Sequence, residues 1–214
     1  MAIKPILFNT EMVRAILDGR KTCTRRVVKT RRKDACGFYV TKRQDGSFTG
    51  VYEYDEDERM FENQLIQYKL GDILYVRETW CGLPVNEAGH FRGHPIYYYR
   101  ADGDLRPEGW RGAWHPSIHM PKEAARIWLK VTDVRVERLQ DITEDGAKAE
   151  GANWKNGKNV GWEEKMRHTA IERFAEIWES TVKKSDLDRY GWAANPWVWV
   201  IDFERCEKPE EKRR

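Results

Sequence analysis

The stretch "ARIWLKVTDVRVERL", residues 125–139, decides how this chain folds. Ile127, Leu129 and Val131 alternate with other residues at the period of a strand that buries one face. The apolar positions then resume at Val134 and Val136, on the other parity. A one-residue change of phase turns every later side chain to the opposite face, so a bulge or sharp bend is predicted near Thr132-Asp133. Closely curved sheets need such bends.

Outward from this segment the same pattern recurs. Gly71-Asp72 introduces "ILYVRETW", "IYYYRA" covers 96–101, and Asn195-Pro196 opens "WVWVIDF", all rich in β-formers and bounded by turns. Met12, Val13, Ile16 and Leu17 recur at helical spacing, with Asn9 or Thr10 as cap and Gly19 as stop, which predicts a helix from about Thr10 to Asp18. Thr143 caps a second, short helix ending near Gly151, and an amphipathic helix is expected from about Glu163 to Thr181. Residues 29–66 read as a hairpin-bearing insertion with a turn at Asp45-Gly46, 101–121 as a structured loop, and 207–214 as a charged tail. No repeat, GxGxxG or GxxxxGK[ST] occurs, so neither a dinucleotide nor a nucleoside-triphosphate site is indicated. Several strands with a few helices at the edges predict an α+β fold, a small mixed or antiparallel barrel.

The chain has 214 residues, enough for one well-packed domain with elaborations, and a single domain over 1–206 is expected. Charged residues make up 34% and no apolar run reaches membrane-spanning length, so a water-soluble protein without a membrane partner is expected. The first residues lack the pattern of a signal peptide, and four scattered cysteines without a CxxC suggest reduced thiols and a cytoplasmic setting. Net charge is +3 but uneven: "RRVVKTRRK" (25–33) is basic and "EYDEDE" (53–58) acidic. The basic block reads equally as a phosphate-binding surface or a solvated face.

Just past the first helix, "GRKTCTRR" (19–26) sets Lys21 three residues before Thr24. A threonine hydroxyl needs a neighbouring base to become a nucleophile, and lysine serves as one when desolvation or nearby cations, here Arg20, Arg25 and Arg26, lower its pKa. The plainer reading makes Lys21 a complement to the helix dipole and Thr24 an ordinary strand residue. Two HxxxH spacings, His90 with His94 and His115 with His119, each have a proline directly after one histidine, which disfavours the continuous helix a metal site would use, so no metal and no cofactor is expected. Of ten tryptophans, Trp128, Trp178, Trp197 and Trp199 are assigned to the core, whereas Trp80, Trp110, Trp114, Trp154 and Trp162 lie in or beside loops. For Trp80 and Trp114, stacking on a base and anchoring a loop are equally open.

The motif "GRKTCTRR" resembles the signature of the ASCH domain family, part of the PUA-like superfamily, through Gly19, Lys21, Thr24 and Arg26. "GDILYVRETW", "RIWLKVTDVRVERL" feeding "DITEDGAKAEG", and "WVWVIDFER" follow in the family's order, and the two ends look like those of long ASCH proteins of phages and prophages. The resemblance implies a PUA-like barrel with flanking helices and insertions at about 29–66, 81–122 and 151–165. Threonine at 24 is similar to the subset that hydrolyses N4-acetylcytidine, whose lysine, threonine and glutamate correspond to Lys21, Thr24 and, through the register from Thr143, Glu150. The implied reaction is amide hydrolysis at an acylated cytosine base or nucleoside. Thr22, Arg26 and Glu78, with Trp80, Trp114, Ser117 and His119, complete the expected substrate-binding set. The alternatives are a non-catalytic module binding RNA or modified DNA and, more distantly, a ribonuclease. The implied partner in each case is a nucleoside or nucleic acid.

Overall fold

In the computed structural model, which describes residues 1–44, 48–62, 68–83, 96–106, 108, 112–152 and 169–210, the elements run β1 (Ile3–Leu7), α1 (Thr10–Leu17), β2 (Cys23–Val27), β3 (Gly37–Lys42), β4 (Phe48–Tyr54), β5 (Met60–Glu62), β6 (Ile73–Arg77), β7 (Trp80–Leu83), β8 (Ile96–Tyr99), β9 (Trp128–Arg138), α2 (Glu144–Ala149), α3 (Ala170–Thr181), α4 (Leu187–Tyr190) and β10 (Trp197–Cys206). The fold is α+β and strand-dominated. Five strands hydrogen-bond in the order β1-β6-β9-β10-β2, three as β3-β4-β5, and β7 pairs with β8. β1 runs parallel to β6, whereas the β6–β9, β10–β2, β3–β4, β4–β5 and β7–β8 pairs are antiparallel.

The change of phase in β9 is present. Leu129 and Val131 are buried, Thr132 and Asp133 are both exposed, and burial returns at Val136. The strand nonetheless continues through it for 11 residues. Among the described residues the sheets are open, with β1 and β2 ending the five-stranded one, so the closed barrel expected from the sequence is not formed. Closure requires the first and last strands to pair, and here the outer edge of β2 is taken up otherwise: the Thr22 N–H donates to the Ala149 carbonyl at the end of α2, 2.8 Å away.

The chain clusters into two compact units, each discontinuous in sequence. The first comprises 1–21, 71–131 and 203–214. In it α1 starts at Asn9, whose side chain accepts from the Met12 N–H, and ends before Gly19 at φ 72°, a conformation glycine adopts without strain. Val13, Ala15 and Ile16 are its buried face. Ile73, Met120, Ala124, Ala125 and Trp128 form a core against which Tyr75, Trp80, Tyr97 and Tyr99 pack. The buried Asp72 carboxylate fastens the chain start, accepting from the Ala2 N–H at 2.9 Å and the Lys4 ammonium at 2.7 Å.

The second unit comprises 22–70 and 132–202. Its core gathers Cys23, Leu139, Ile142, Ala147, Phe174, Trp178, Val198 and Val200. α2 is capped by Thr143 and followed by Gly151 at φ 82°, as the sequence suggests. Thr169 and Glu172 form a reciprocal capping box that starts α3 at Ala170, and the part of the expected helix at 163–168, Met166 included, lies outside the described residues. The 29–66 insertion holds the β3-β4-β5 sheet, while its Asp45-Gly46 turn, Trp110, Trp154, Trp162, His90 and His94 also lie outside the described residues. Trp128, Trp178 and Trp199 are buried, but Trp197 is only half-buried, a departure from the core role expected of it. No helix among the described residues is long and apolar enough to cross a membrane.

Candidate active site

Strand β2 positions the candidate chemistry of the second unit. Its antiparallel register sets Thr24 opposite Ile201 and Arg26 opposite Trp199, on one face, and Cys23 opposite Asp202 and Arg25 opposite Val200, on the other. Two adjacent arginines in a strand must point to opposite faces, and here one of them is driven into the core. Arg25 is buried and its guanidinium lies 5.8 Å from the centroid of Phe174. Nη1 of Arg25 donates to the Glu150 carboxylate at 3.4 Å and Nη2 to Glu137 at 3.3 Å. Its Nε is buried with no hydrogen-bond acceptor among the described residues.

Glu150 closes α2, and its backbone N–H donates to Gly146 O. Because α2 meets the edge of β2 at Thr22 and Ala149, the carboxylate stands where groups from both faces of the strand sense it. Arg25 donates to it, and its charge also acts on Arg26 and Cys23. Burial lowers the pKa of the Arg26 guanidinium, with Tyr68 and Glu150 working against that shift. Burial, and next the Glu150 charge, push the Cys23 thiol far above the ordinary range, so this cysteine is no nucleophile. Arg26, Tyr68, Val134, Trp199 and Ile201 line a hollow of about 10 Å³. That is room for about one water and none for a pyrimidine ring unless Tyr68 or Trp199 shifts.

Thr24 is 3% exposed, Glu150 8% and Lys21 2%. Lys21 belongs to the first unit, where its backbone N–H donates to Ala15 O beyond the end of α1 and its ammonium lies 5.6 Å from the Phe8 ring centroid. Arg20 beside it is half-buried and paired with Asp18 at 2.8 Å, which cancels much of the charge that could act on Lys21. Thr22 is exposed.

The remaining candidates sit in the first unit and do not form one cluster with a shared partner. Glu78 is buried and receives two bonds from Arg126, at 2.9 and 3.1 Å. Arg126 also holds Asp102 at 2.6 Å and stacks 4.0 Å over Tyr99. Burial raises the pKa of Glu78 while Arg126 opposes it, a structural ion-pair arrangement. Trp80 packs edge-on to Tyr97 and lies 5.1 Å from the His115 ring. Arg100 and Arg106 lie 5.3 and 4.8 Å from the Trp114 ring. Ser117 is half-buried and His119 exposed, on a 3-10 turn.

Residue reasoning missed Arg25 as a buried ion-pair centre, as well as Glu137 and Tyr68. The paired arginines in "TRRV" carried a signal for the first; nothing in the polar stretch around Tyr68 marks it. The basic block 25–33 is not one patch either, since Arg25 is buried and Arg32 pairs with Asp34 at 2.5 Å. No family model matches the chain, and no curated protein or solved structure does.

Proposed function

We propose that the chain is an ASCH-type, PUA-like hydrolase of the exocyclic amide of an acylated cytosine nucleoside, with Lys21, Thr24 and Glu150 as its working groups. One observation carries the reading. Eight polar or charged side chains are buried among the described residues, and three of them are this lysine, threonine and glutamate. Burying such groups costs free energy, and functional sites are where that cost is tolerated.

In the proposed reaction the Thr24 hydroxyl, or a water it holds, adds to the acyl carbonyl carbon and gives its proton to Lys21. Arg26 stabilises the developing oxyanion. The carbon–nitrogen bond then breaks as the exocyclic nitrogen takes a proton relayed through Glu150, releasing cytidine and leaving the acyl group as the free acid when water attacked or as an ester on Thr24 when the hydroxyl did. If Thr24 is the nucleophile, a water completes the cycle by hydrolysing the ester. The narrow hollow beside Arg26 implies that Tyr68 moves when a base binds.

Purified protein incubated with N4-acetylcytidine tests this by the absorbance change on conversion to cytidine. Turnover by the wild type, lost in Lys21→Ala and Thr24→Ala and partly kept in Thr24→Ser, is expected. A folded wild type without turnover, or undiminished turnover in both alanine variants, refutes it.

A further inference from the structure

A groove of about 280 Å³ opens in the second unit among residues the hydrolase reading does not use. Phe38, Tyr54, Arg138, Arg189, Tyr190 and Trp197 are among its walls. The insertion that carries β3 and β4 builds one side. Tyr54 rests on the backbone of Gly37, where a Cβ would come within 2.5 Å of the phenol oxygen, so this wall depends on a glycine.

Two guanidinium groups in this groove differ from most of those in the molecule. Arg14, Arg20, Arg25, Arg32, Arg106, Arg126, Arg135 and Arg173 all pair with carboxylates. Arg138 and Arg189 are exposed and have no carboxylate partner among the described residues. Arg138 Nη1 donates to the Asn195 carbonyl at 3.2 Å, and its guanidinium lies 4.3 Å from the Trp197 centroid. Arg189 Nη2 donates to the Thr30 hydroxyl at 3.0 Å, with its guanidinium 5.2 Å from the Tyr190 centroid. Neutral oxygens and ring faces orient these cations without neutralising them, which leaves donors for an anion of matching geometry, above all phosphate. Aromatic faces beside free guanidinium groups are what a base and its phosphate together require. The volume, about 280 Å³, is just below the roughly 300 to 1,000 Å³ of small-molecule sites and suits one nucleotide rather than a folded partner. Lys29, Arg31 and Lys33, exposed and next to Thr30 in the chain, extend the positive charge for neighbouring phosphates.

We infer that this groove binds a nucleotide of a single-stranded nucleic acid, its base against Trp197 and Tyr54 and its phosphate at Arg138 and Arg189. The inference does not depend on Lys21, Thr24 or Glu150.

Cys36 supplies an internal probe, since it lines the groove and is the exposed one of four free cysteines. Its reaction with a chromogenic disulfide is followed while a 12-mer single-stranded RNA or DNA, cytidine 5′-monophosphate or cytidine is added. Protection by the oligonucleotide at far lower concentration than by the monophosphate, and none by cytidine, is expected. Arg138→Ser with Arg189→Ser removes two phosphate contacts. At a salt slope of about −0.7 per contact this amounts to a loss of about 25-fold in affinity at 0.1 M salt and a slope shallower by about 1.4. Trp197→Leu weakens binding without changing the slope, and Arg173→Ala, on the exposed face of α3, changes neither. Unprotected Cys36, unchanged oligonucleotide affinity in the double variant, or heparin competing equally with no effect of Trp197→Leu overturns the inference. Turnover of free N4-acetylcytidine, measured on the same preparations, is expected to survive the groove substitutions, so failure of one reading is separable from failure of the other.

Discussion

Arg25→Met tests whether Glu150 is held as a buried charge. The side chains of Arg25 and Glu150 are 2% and 5% exposed, and Glu137, the second acceptor, is 26% exposed. Removing one partner of a buried pair typically costs about 3–5 kcal/mol, because the other charge stays desolvated. Two features reduce that figure here. The contacts are 3.3 and 3.4 Å, longer than the roughly 2.7–2.9 Å of strong charge-assisted bonds. The buried Arg25 Nε has no acceptor among the described residues, and relieving such a group returns about 1–3 kcal/mol. Methionine keeps much of the stem's packing against Phe174. The net expectation is a loss of about 2 kcal/mol. With a urea slope of about 2–3 kcal/mol/M the midpoint falls by roughly 0.7–1 M. Adding Glu150→Gln to Arg25→Met is expected to recover most of the loss, since both ends of the pair are then neutral. A midpoint unchanged by Arg25→Met, or losses that simply add in the double variant, shows that the pair does not hold Glu150 and refutes the argument.

Phe174→Ala removes a ring that is 4% exposed, 5.9 Å from the Trp178 centroid and 6.2 Å from that of Trp192. A loss of about 3–5 kcal/mol by denaturant unfolding is expected, and one below about 1 kcal/mol contradicts the core assignment. Gly19→Val places a β-branched residue at φ 72°, where no atom lies within 4 Å of the added Cβ. The loss is then one of backbone strain, about 1–2 kcal/mol, while Gly19→Asn costs less; equal stability of the valine and asparagine variants counts against this. Tyr99, whose hydroxyl donates to Ala124 O at 2.7 Å, has its pKa raised by burial to about 12. The unfolded chain ionises first as pH rises, so stability relative to Tyr99→Phe is constant below about pH 10 and falls between about 10 and 12. Urea midpoints of both proteins at pH 9 and 11 check the sign, and a difference that stays constant or grows in favour of wild type refutes it.

What the sequence by itself determined was local. The periodicity of Met12 to Leu17, the caps at Asn9 and Thr143, the stops at Gly19 and Gly151 and the shift of phase inside β9 are set by backbone sterics and by which face meets water. Neighbours along the chain suffice for that. The start of α3 was legible too, in the Thr169 and Glu172 pair, but the apolar period of the residues before it concealed the signal.

Tertiary structure decided the rest. Whether the curved strand closes a barrel depends on what reaches the edge of β2, and α2 reaches it from more than a hundred residues away. Which of two adjacent arginines packs on Phe174 and pairs with Glu150 depends on the face of β2 that meets α3. Trp197 shares the strand face of the buried Trp199 and Ile201, yet it opens β10, where the groove beside Arg138 leaves it half-buried. Burial of Lys21, Thr24 and Glu150 is likewise a property of packing: charge and hydrogen-bonding capacity are written in a side chain, whereas desolvation, which makes those groups costly and useful, arises only when remote segments pack around them.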